Sequence, residues 1–243
     1  MTIPAAFSMT EDVAILIIGT GLYAELLPGM VQSFRRYFLP GVSKRFYIFT
    51  DGEAPAGDDV RRVYREHKPW PADTLERYGM FLGVADELRR HKFAFFSNAN
   101  MRAVAPIGRE ILPTDERPLV VVRHPRNFTP EQLAEAIEQR PESCAFMERV
   151  AHAYVAGGFN GGRVAEFLAM SATIDEWQRK DAAAGIVPPW HDESYLNAYR
   201  GRYAWLFRVL CPAYLYPEGW LGDYPARLIC LDKSRFFKRK NFR

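Results

Sequence analysis

The first part of the chain combines short apolar runs with longer segments of helical periodicity. Val13–Ile18 is an unbroken apolar run rich in β-branched residues, which predicts a strand buried on both faces, as parallel sheets require. A Gly-Thr-Gly triplet follows it and predicts a tight turn, and residues 24–37 are spaced like a helix. The run Phe46-Tyr-Ile-Phe-Thr50 predicts a second strand, and Arg61-Arg-Val-Tyr64 is a candidate for a short third one. The chain therefore opens as β-α-β.

The same two patterns continue along the chain. Asp73-Thr-Leu-Glu76 has the form of a capping box that starts a helix, and Thr129 is expected to cap a later helix. The pattern predicts strands at 93–96 and 119–122 and helices at 73–90, 130–139, 164–180 and 190–199. This alternation predicts an α/β fold, whose ligands bind beyond the carboxyl ends of the strands.

Composition narrows the class of protein. The 243 residues are 48% hydrophobic and 25% charged, which is ordinary for a globular protein and excludes disordered and fibrous chains. The length suits one domain, predicted at 11–234, between a disordered leader at 1–10 and a basic tail at 235–243. The net charge is only +3 and part of the excess lies in that tail, so no nucleic-acid partner is expected.

Cysteine usage and hydropathy bear on location. The three cysteines, Cys144, Cys211 and Cys230, are odd in number and lack CxxC spacing, so neither a disulfide framework nor a zinc ribbon is indicated. Val13–Ile18 is too short to cross a bilayer and lacks the features of a signal peptide. We therefore expect a cytoplasmic protein without a stable membrane anchor.

The densest group of reactive side chains is Trp190-His-Asp-Glu-Ser194, at an expected helix start. The helix dipole stabilises carboxylates there. Carboxylates beside an aromatic platform suit sugar chemistry, because an oxocarbenium-like transition state needs negative charge on its reacting face. The alternative is a helix cap with a solvated charge pair. The pattern alone leaves both interpretations open.

Three weaker features accompany this motif. The amides of Asn98 and Asn100, after a predicted strand, can donate to phosphate or sugar oxygens but bind divalent cations poorly. Four glycines between 157 and 162 let a backbone approach a neighbour closely, although a turn is the simpler interpretation. Lys238-Arg239-Lys240 can neutralise a diphosphate or form a solvated tail. The histidines lack metal-ligand spacing, so no metal site is predicted. No GxSxG elbow occurs, which argues against a Ser–His–Asp hydrolase.

Together these segments resemble glycosyltransferase family 6, the group of the histo-blood-group A and B transferases and α-1,3-galactosyltransferase. The most specific piece is Pro189-Trp-His-Asp-Glu-Ser194 with Asn197 and Tyr199. Cys211-Pro-Ala-Tyr-Leu-Tyr-Pro-Glu-Gly-Trp220 is similar to the bacterial members. Supporting pieces follow the same order along residues 15–232: Gly21 and Tyr23, Trp70 and Arg77, His124-Pro125, Gly157-Gly158 and Gly161-Gly162.

The resemblance implies a single GT-A type domain with a mixed, mostly parallel sheet flanked by helices. It also implies a UDP-sugar donor, an oligosaccharide acceptor and retention of the anomeric configuration. By the same resemblance, Glu193 is expected to be the catalytic carboxylate, either as transient nucleophile or as stabiliser of a front-side reaction. Asp192 is expected to bind donor-sugar hydroxyls. Including the amides and the basic tail, further donor contacts are expected at Ile18, Gly19, Tyr23, Arg77, Asn98, Asn100, Ala156, Gly157, Gly158, Lys238, Arg239 and Lys240. Acceptor contacts are expected at His124, Trp190, His191, Glu218 and Trp220.

Departures from the family pattern refine these expectations. Asn98-Ala-Asn100 stands where the vertebrate members carry Asp-x-Asp for Mn²⁺, as in some bacterial members, so activity without a metal or other cofactor is expected. Ala156-Gly157-Gly158 leaves room for an N-acetyl group, which favours UDP-N-acetylgalactosamine over UDP-galactose, transferred in α-1,3 linkage. Arg126 and Ala72 depart from the blood-group enzymes, which leaves open whether the galactose-containing acceptor is fucosylated. An inactive nucleotide-sugar- or glycan-binding protein of the same fold is the alternative.

Overall fold

Ten strands in the described part of the chain form two sheets. The computed structural model describes residues 13–150 and 153–236. The strands are β1 (Val13–Ile18), β2 (Lys44–Thr50), β3 (Val60–Tyr64), β4 (Phe93–Ser97), β5 (Met101–Ala103), β6 (Leu119–Arg123), β7 (Val155–Arg163), β8 (Phe207–Leu210), β9 (Tyr216–Pro217) and β10 (Leu228–Cys230).

The larger sheet has seven strands in the order β3-β2-β1-β4-β7-β6-β8. Neighbours are parallel except β7, which runs antiparallel to both β4 and β6. In the smaller sheet, β10 lies between β5 and β9, so the C-terminal part of the chain returns to the segment that follows β4. This mixed, mostly parallel α/β domain confirms the predicted fold class and is consistent with the GT-A type.

Helices cover both faces of the larger sheet. They are α1 (Leu27–Tyr37), α2 (Ala72–Leu75), α3 (Arg77–Leu82), α4 (Ala85–Leu88), α5 (Pro130–Ala136), α6 (Val164–Ala183) and α7 (Asp192–Arg202). Ile15 and Ile17 belong to the core beneath α1, whereas Ala14 and Leu16 belong to the core shared with α3 and α6. The apolar run of β1 is therefore buried on both sides, as its sequence predicts. Among the described residues, no helix combines the length and apolar character needed to cross a bilayer.

Two helix predictions need correction. The segment predicted as a helix at 24–37 begins as a 3-10 helix, Gly21–Leu26, and becomes α-helical only where Pro28 occupies the first turn of α1. The helix predicted at 73–90 is divided into α2, α3 and α4. Its capping box is wrong, because the Asp73 carboxylate accepts hydrogen bonds from Thr20 and Arg65 instead. The cap at Thr129 is confirmed, since its hydroxyl accepts from the Gln132 N–H.

The glycine-rich segment differs most from its simplest interpretation. It forms β7 rather than a turn, with a bulge against β6: Val121 pairs with Asn160, but the next residue, Val122, pairs with Ala156. Residues 157–159 are therefore extra residues in this ladder. A bulge bends its strand and redirects its backbone, and here it carries Gly157 and Gly158 beyond the end of β4.

Candidate active site

A cavity of about 280 Å³ opens at the carboxyl ends of β1 and β4. Its walls come from the ends of these strands, the β7 bulge, the first turn of α7, residues 67–77 and Lys233. Open α/β sheets bind ligands in this position. The predicted site residues that the fold brings together here are Ile18, Tyr23, Arg77, Asn98, Asn100, Gly157, Gly158, Trp190, Asp192 and Glu193.

The base of this cavity, here called the floor, consists of Arg77, Gly157, Asp192 and Glu193. Arg77 is 7% exposed and Asp192 is 4% exposed. An Arg77 Nη1 lies 2.5 Å from Asp192 Oδ2 and donates to the Gly157 carbonyl over 3.0 Å. The Arg77 guanidinium also stacks 4.0 Å from the centre of the Phe96 ring. The floor therefore carries a buried ion pair in a fixed orientation.

Glu193 is held against the β7 bulge. Its Oε2 accepts a hydrogen bond of 2.6 Å from the Gly157 N–H. A Cβ atom at position 157 would lie 3.1 Å from Asp192 Oδ2 and 3.5 Å from Glu193 Oε2, so a side chain here would crowd the Asp192 carboxylate. Loss of solvent raises the pKa of Glu193 to about 7, against the opposing Gly157 hydrogen bond and with help from the charge of Asp192. Burial also raises the pKa of Asp192, and Arg77 opposes this.

At the entrance of the cavity, the lining residues Trp70 and Trp190 and the adjacent His191, which contacts Trp70, form a surface here called the rim. The two indoles are 68% and 48% exposed, and the Trp70 and His191 rings meet edge to face with centroids 4.6 Å apart. His191 has a φ of 51°, which is uncommon for a residue with a side chain. His191 directly precedes Asp192, the first residue of α7, so its unusual φ changes the direction of the chain where the rim meets the helix.

Other predicted contacts lie outside the cavity lining. Gly19 follows Ile18 in the chain but does not line the cavity, and its N–H donates to the Phe49 carbonyl. Ala156 is buried in β7. His124 Nδ1 accepts from the Arg126 N–H, and burial lowers the His124 pKa to about 4, so its ring is neutral with the proton on Nε2.

The two C-terminal acceptor predictions are also placed elsewhere. The Glu218 carboxylate accepts from the Asp232 N–H over 2.9 Å and from Arg235 over 2.7 Å. The Trp220 ring packs on Tyr216 with centroids 4.8 Å apart. Both side chains hold the C-terminal segment together. The predicted basic residues Lys238, Arg239 and Lys240, like the leader at 1–10, lie outside the described residues.

The strand-end amides do not form a carboxylate-type metal site. Residues 98–100 form a turn, so Asn98 and Asn100 do not share one face of a strand, as alternate residues of a continued β4 would. The Asn100 amide donates to the Leu231 carbonyl over 2.8 Å and lies against the Cys230 sulfur. In the described residues, no three His, Cys, Asp or Glu side chains gather where they could hold a metal ion. The donor set at this turn therefore does not fit Mn²⁺, which prefers carboxylate oxygens.

Several lining residues were missed by the sequence analysis. Thr20, His67 and Asp73 form a hydrogen-bonded group, with Thr20 Oγ1 2.5 Å from Asp73 Oδ2 and 3.2 Å from His67 Nδ1. Lys68 and Lys233 add two cations to the lining. The Gly-Thr-Gly triplet is a signal for Thr20. The others reach the cavity through long-range folding that no local pattern reveals.

Comparisons with known proteins identify the family of the chain. The family model of glycosyltransferase family 6 matches residues 5–241. The O-antigen biosynthesis glycosyltransferase WbnI of Escherichia coli is 29% identical over 225 residues, which are 91% of this chain and 94% of WbnI. Histo-blood group ABO system transferase 1 of Rattus norvegicus is 28% identical over 211 residues, 82% of this chain and 59% of that protein.

A third relative is a vertebrate transferase with a different name. The globoside α-1,3-N-acetylgalactosaminyltransferase 1 of Homo sapiens is 24% identical over 198 residues, 77% of this chain. The match spans 56% of the human protein, so this chain covers little more than half of its length.

Because the family model spans nearly the whole chain and the carboxylates of its most specific motif meet in one cavity, the chain belongs to glycosyltransferase family 6 and is a glycosyltransferase.

Proposed function

We propose that the protein is a retaining transferase that moves N-acetylgalactosamine, and less efficiently galactose, from a UDP-sugar to a galactose-containing glycan. The proposed linkage is α-1,3, and the proposed reaction needs no metal ion. The observation that carries the proposal is the floor, where two carboxylates converge on Gly157 at the base of one cavity. The names of the ABO and globoside relatives support this substrate class.

In this proposal the two carboxylates have different roles. Asp192, oriented by Arg77, accepts hydrogen bonds from the donor-sugar hydroxyls. Glu193, fixed by the Gly157 N–H, presents negative charge to the anomeric carbon as its bond to UDP breaks. An ionised Glu193 is required for this role, either as nucleophile or as electrostatic stabiliser. Its raised pKa reflects a carboxylate held partly out of water before the sugar binds.

Cations of the protein replace the metal in this proposal. Lys233 lines the cavity, and its Nζ lies 5.6 Å from the centre of the Tyr23 ring. Tyr23 and Ile18 are proposed to contact the uridine, which places the diphosphate toward Lys233. Lys238, Arg239 and Lys240 are proposed to add to this positive charge. Fixed cations stabilise the charge that develops on the leaving diphosphate.

The donor preference is proposed to depend on Gly158. A Cβ atom at this position would lie 3.0 Å from Asn98 Nδ2 and 3.0 Å from Leu215 Cδ1. A larger residue therefore displaces the Asn98 amide, which itself lines the cavity. Glycine keeps this wall back and leaves space for an N-acetyl group. A galactose donor still fits, because losing a methyl contact costs only about 1–3 kcal/mol.

The rim is proposed to receive the acceptor. Its exposed indoles offer the flat apolar surfaces on which sugar rings stack, directly above the floor. His191 contacts Trp70 and precedes Asp192 in the chain, which links this surface to the donor side. The acceptor roles of His124, Glu218 and Trp220 stay predictions for the complex with a glycan.

A transfer assay tests the proposal. The protein is incubated with UDP-N-acetylgalactosamine or UDP-galactose, with lactose or fucosylated lactose, in the presence of EDTA. We expect UDP release that depends on the acceptor, an α-linked product by NMR, and a higher kcat/KM for UDP-N-acetylgalactosamine. Activity that EDTA abolishes and Mn²⁺ restores would contradict metal independence. A β-linked product would contradict retention.

A further inference from the structure

Asn197 lies one helical turn after Glu193 on α7 and makes contact with the backbone of β7. Its side chain is 3% exposed. Its Oδ1 accepts from the Val155 N–H over 2.9 Å, and its Nδ2 donates to the Val155 carbonyl over 2.8 Å. The same Nδ2 donates to the Glu193 carbonyl over 2.9 Å. Both amide N–H bonds are therefore used, and all partners are backbone groups.

The position of Val155 explains why an amide is placed there. The ladder between β7 and β4 ends at Phe159, so Val155 extends past the end of β4. On that side its backbone groups need other partners, because unpaired buried N–H and C=O groups are costly. The Asn197 amide has a donor and an acceptor in one plane, so it takes the place of a neighbouring strand.

These contacts form a closed ring of short connections between α7 and β7. Asn197 binds Val155, which lies two residues before Gly157, and the Gly157 N–H binds the Glu193 carboxylate. Glu193 is joined back to Asn197 through its own carbonyl. The distance between the first turn of α7 and the β7 bulge is fixed at both ends of this ring. Without Asn197, the first turn of α7 would be held at Gly157 by the Glu193 carboxylate and by Arg77, which bridges Asp192 and the Gly157 carbonyl, and the Val155 end of the ring would be lost.

We propose that Asn197 is a positioning residue, which holds α7 on β7 so that the Glu193 carboxylate meets the anomeric carbon in the correct orientation. This inference rests on the proposed role of Glu193. It assigns Asn197 no contact with either substrate. Small displacements of a catalytic group reduce the rate more than they reduce binding, so the expected signature is a loss of kcat rather than an increase in KM.

The test compares Asn197→Ala with Tyr195→Phe. Tyr195 is a matched control, since it is buried on the same helix and its hydroxyl donates to Asp181 over 2.9 Å, on the side away from the cavity. Both variants are assayed with UDP-N-acetylgalactosamine and fucosylated lactose at a temperature where circular dichroism shows them folded. We expect Asn197→Ala to lower kcat by about tenfold to a hundredfold, with the donor KM within about threefold of wild type. Tyr195→Phe should stay within about twofold of the wild-type kcat.

A double-mutant cycle separates this inference from the proposed function. If Asn197 acts through Glu193, adding Asn197→Ala to Glu193→Gln should slow the reaction little beyond Glu193→Gln alone. Equal kcat losses in Asn197→Ala and Tyr195→Phe would overturn the inference, as would full additivity in the cycle. A Glu193→Gln variant with wild-type turnover would instead overturn the proposed role of Glu193.

A second variant covers the case in which Asn197→Ala does not fold. Asn197→Asp keeps the shape of the side chain and the acceptor for the Val155 N–H, but an ionised aspartate lacks both donors. The same loss of kcat at unchanged donor KM is expected. A folded Asn197→Asp variant with wild-type kcat would overturn the inference.

Discussion

Arg77 and Asp192 in the floor are 7% and 4% exposed, whereas Trp70 and Trp190 in the rim are 68% and 48% exposed. The floor side chains contact strand, helix and one another through hydrogen bonds and an ion pair. In the rim, Trp70 packs edge to face on His191, and both indoles face solvent. The fold therefore fixes the groups that are proposed to carry the chemistry, and it leaves the acceptor surface free to vary.

The largest expected effect comes from breaking the ion pair in the floor. Arg77→Met leaves the Asp192 carboxylate buried without its cation, so we expect a loss of about 3–5 kcal/mol in the free energy of unfolding. Denaturant titration measures it. The control is Arg61→Met, which removes the exposed pair with Glu87 and should cost about 1 kcal/mol or less. Equal losses in the two variants would mean that the floor pair is no more important than a surface pair.

The second effect is a dependence of stability on pH. The pKa of Glu193 is raised from 4.5 to about 7, so the folded protein binds a proton more tightly than the unfolded chain. This proton stabilises the fold at low pH, and the contribution is lost as pH rises through 7. Glu193→Gln has no such proton. At pH 8 we expect the variant to be more stable than wild type by about 3 kcal/mol, and this gain should disappear as pH falls to about 4.5.

Thermal unfolding of both proteins across this pH range measures the difference. A gain that is the same at pH 5 and pH 8 would show that the Glu193 pKa is not raised in the folded protein. The same titration affects catalysis in the free enzyme, so kcat/KM for the donor should rise with pH up to about 7 and then level off.

The third effect concerns Gly158 in the cavity lining. Gly158→Ala places a methyl group against Asn98 and Leu215, and it should shift the ratio of kcat/KM toward UDP-galactose by about tenfold. Gly201→Ala is the control, because its Cβ would lie 3.4 Å from Met147 and outside the cavity. A donor ratio unchanged by Gly158→Ala would remove Gly158 from the account of donor choice.

The smallest effect is expected at the rim. Trp190→Ala removes one stacking surface and should raise the acceptor KM by about fivefold, equivalent to about 1 kcal/mol, with kcat and donor KM nearly unchanged. Trp205→Ala removes an indole that is 66% exposed and outside the cavity lining, and it should change none of these constants. A large fall in kcat for Trp190→Ala would place this residue with the floor.

Sequence pattern predicted the elements that are determined by neighbouring residues, and it missed those that depend on contacts between distant segments. The β-branched run of β1 and the cap at Thr129 formed as expected. The residue types at Asp192-Glu193 suited sugar chemistry without deciding for it, and the roles of both residues came from the family resemblance and stay predictions. The capping box at Asp73 failed because Thr20, distant in sequence, is a better partner. Neither the β7 bulge nor the arrival of Lys233 in the cavity has a local signal, since each depends on how distant strands pair.

The turnover of Glu193→Gln tests the central claim most directly. The substitution keeps the size of the side chain and its acceptor for the Gly157 N–H, but removes the negative charge from the floor. We expect kcat to fall by about a hundredfold or more while the affinity for UDP-N-acetylgalactosamine changes by less than about threefold. A folded variant with wild-type kcat would show that this carboxylate only holds α7 against the β7 bulge, and the account of the floor would be wrong.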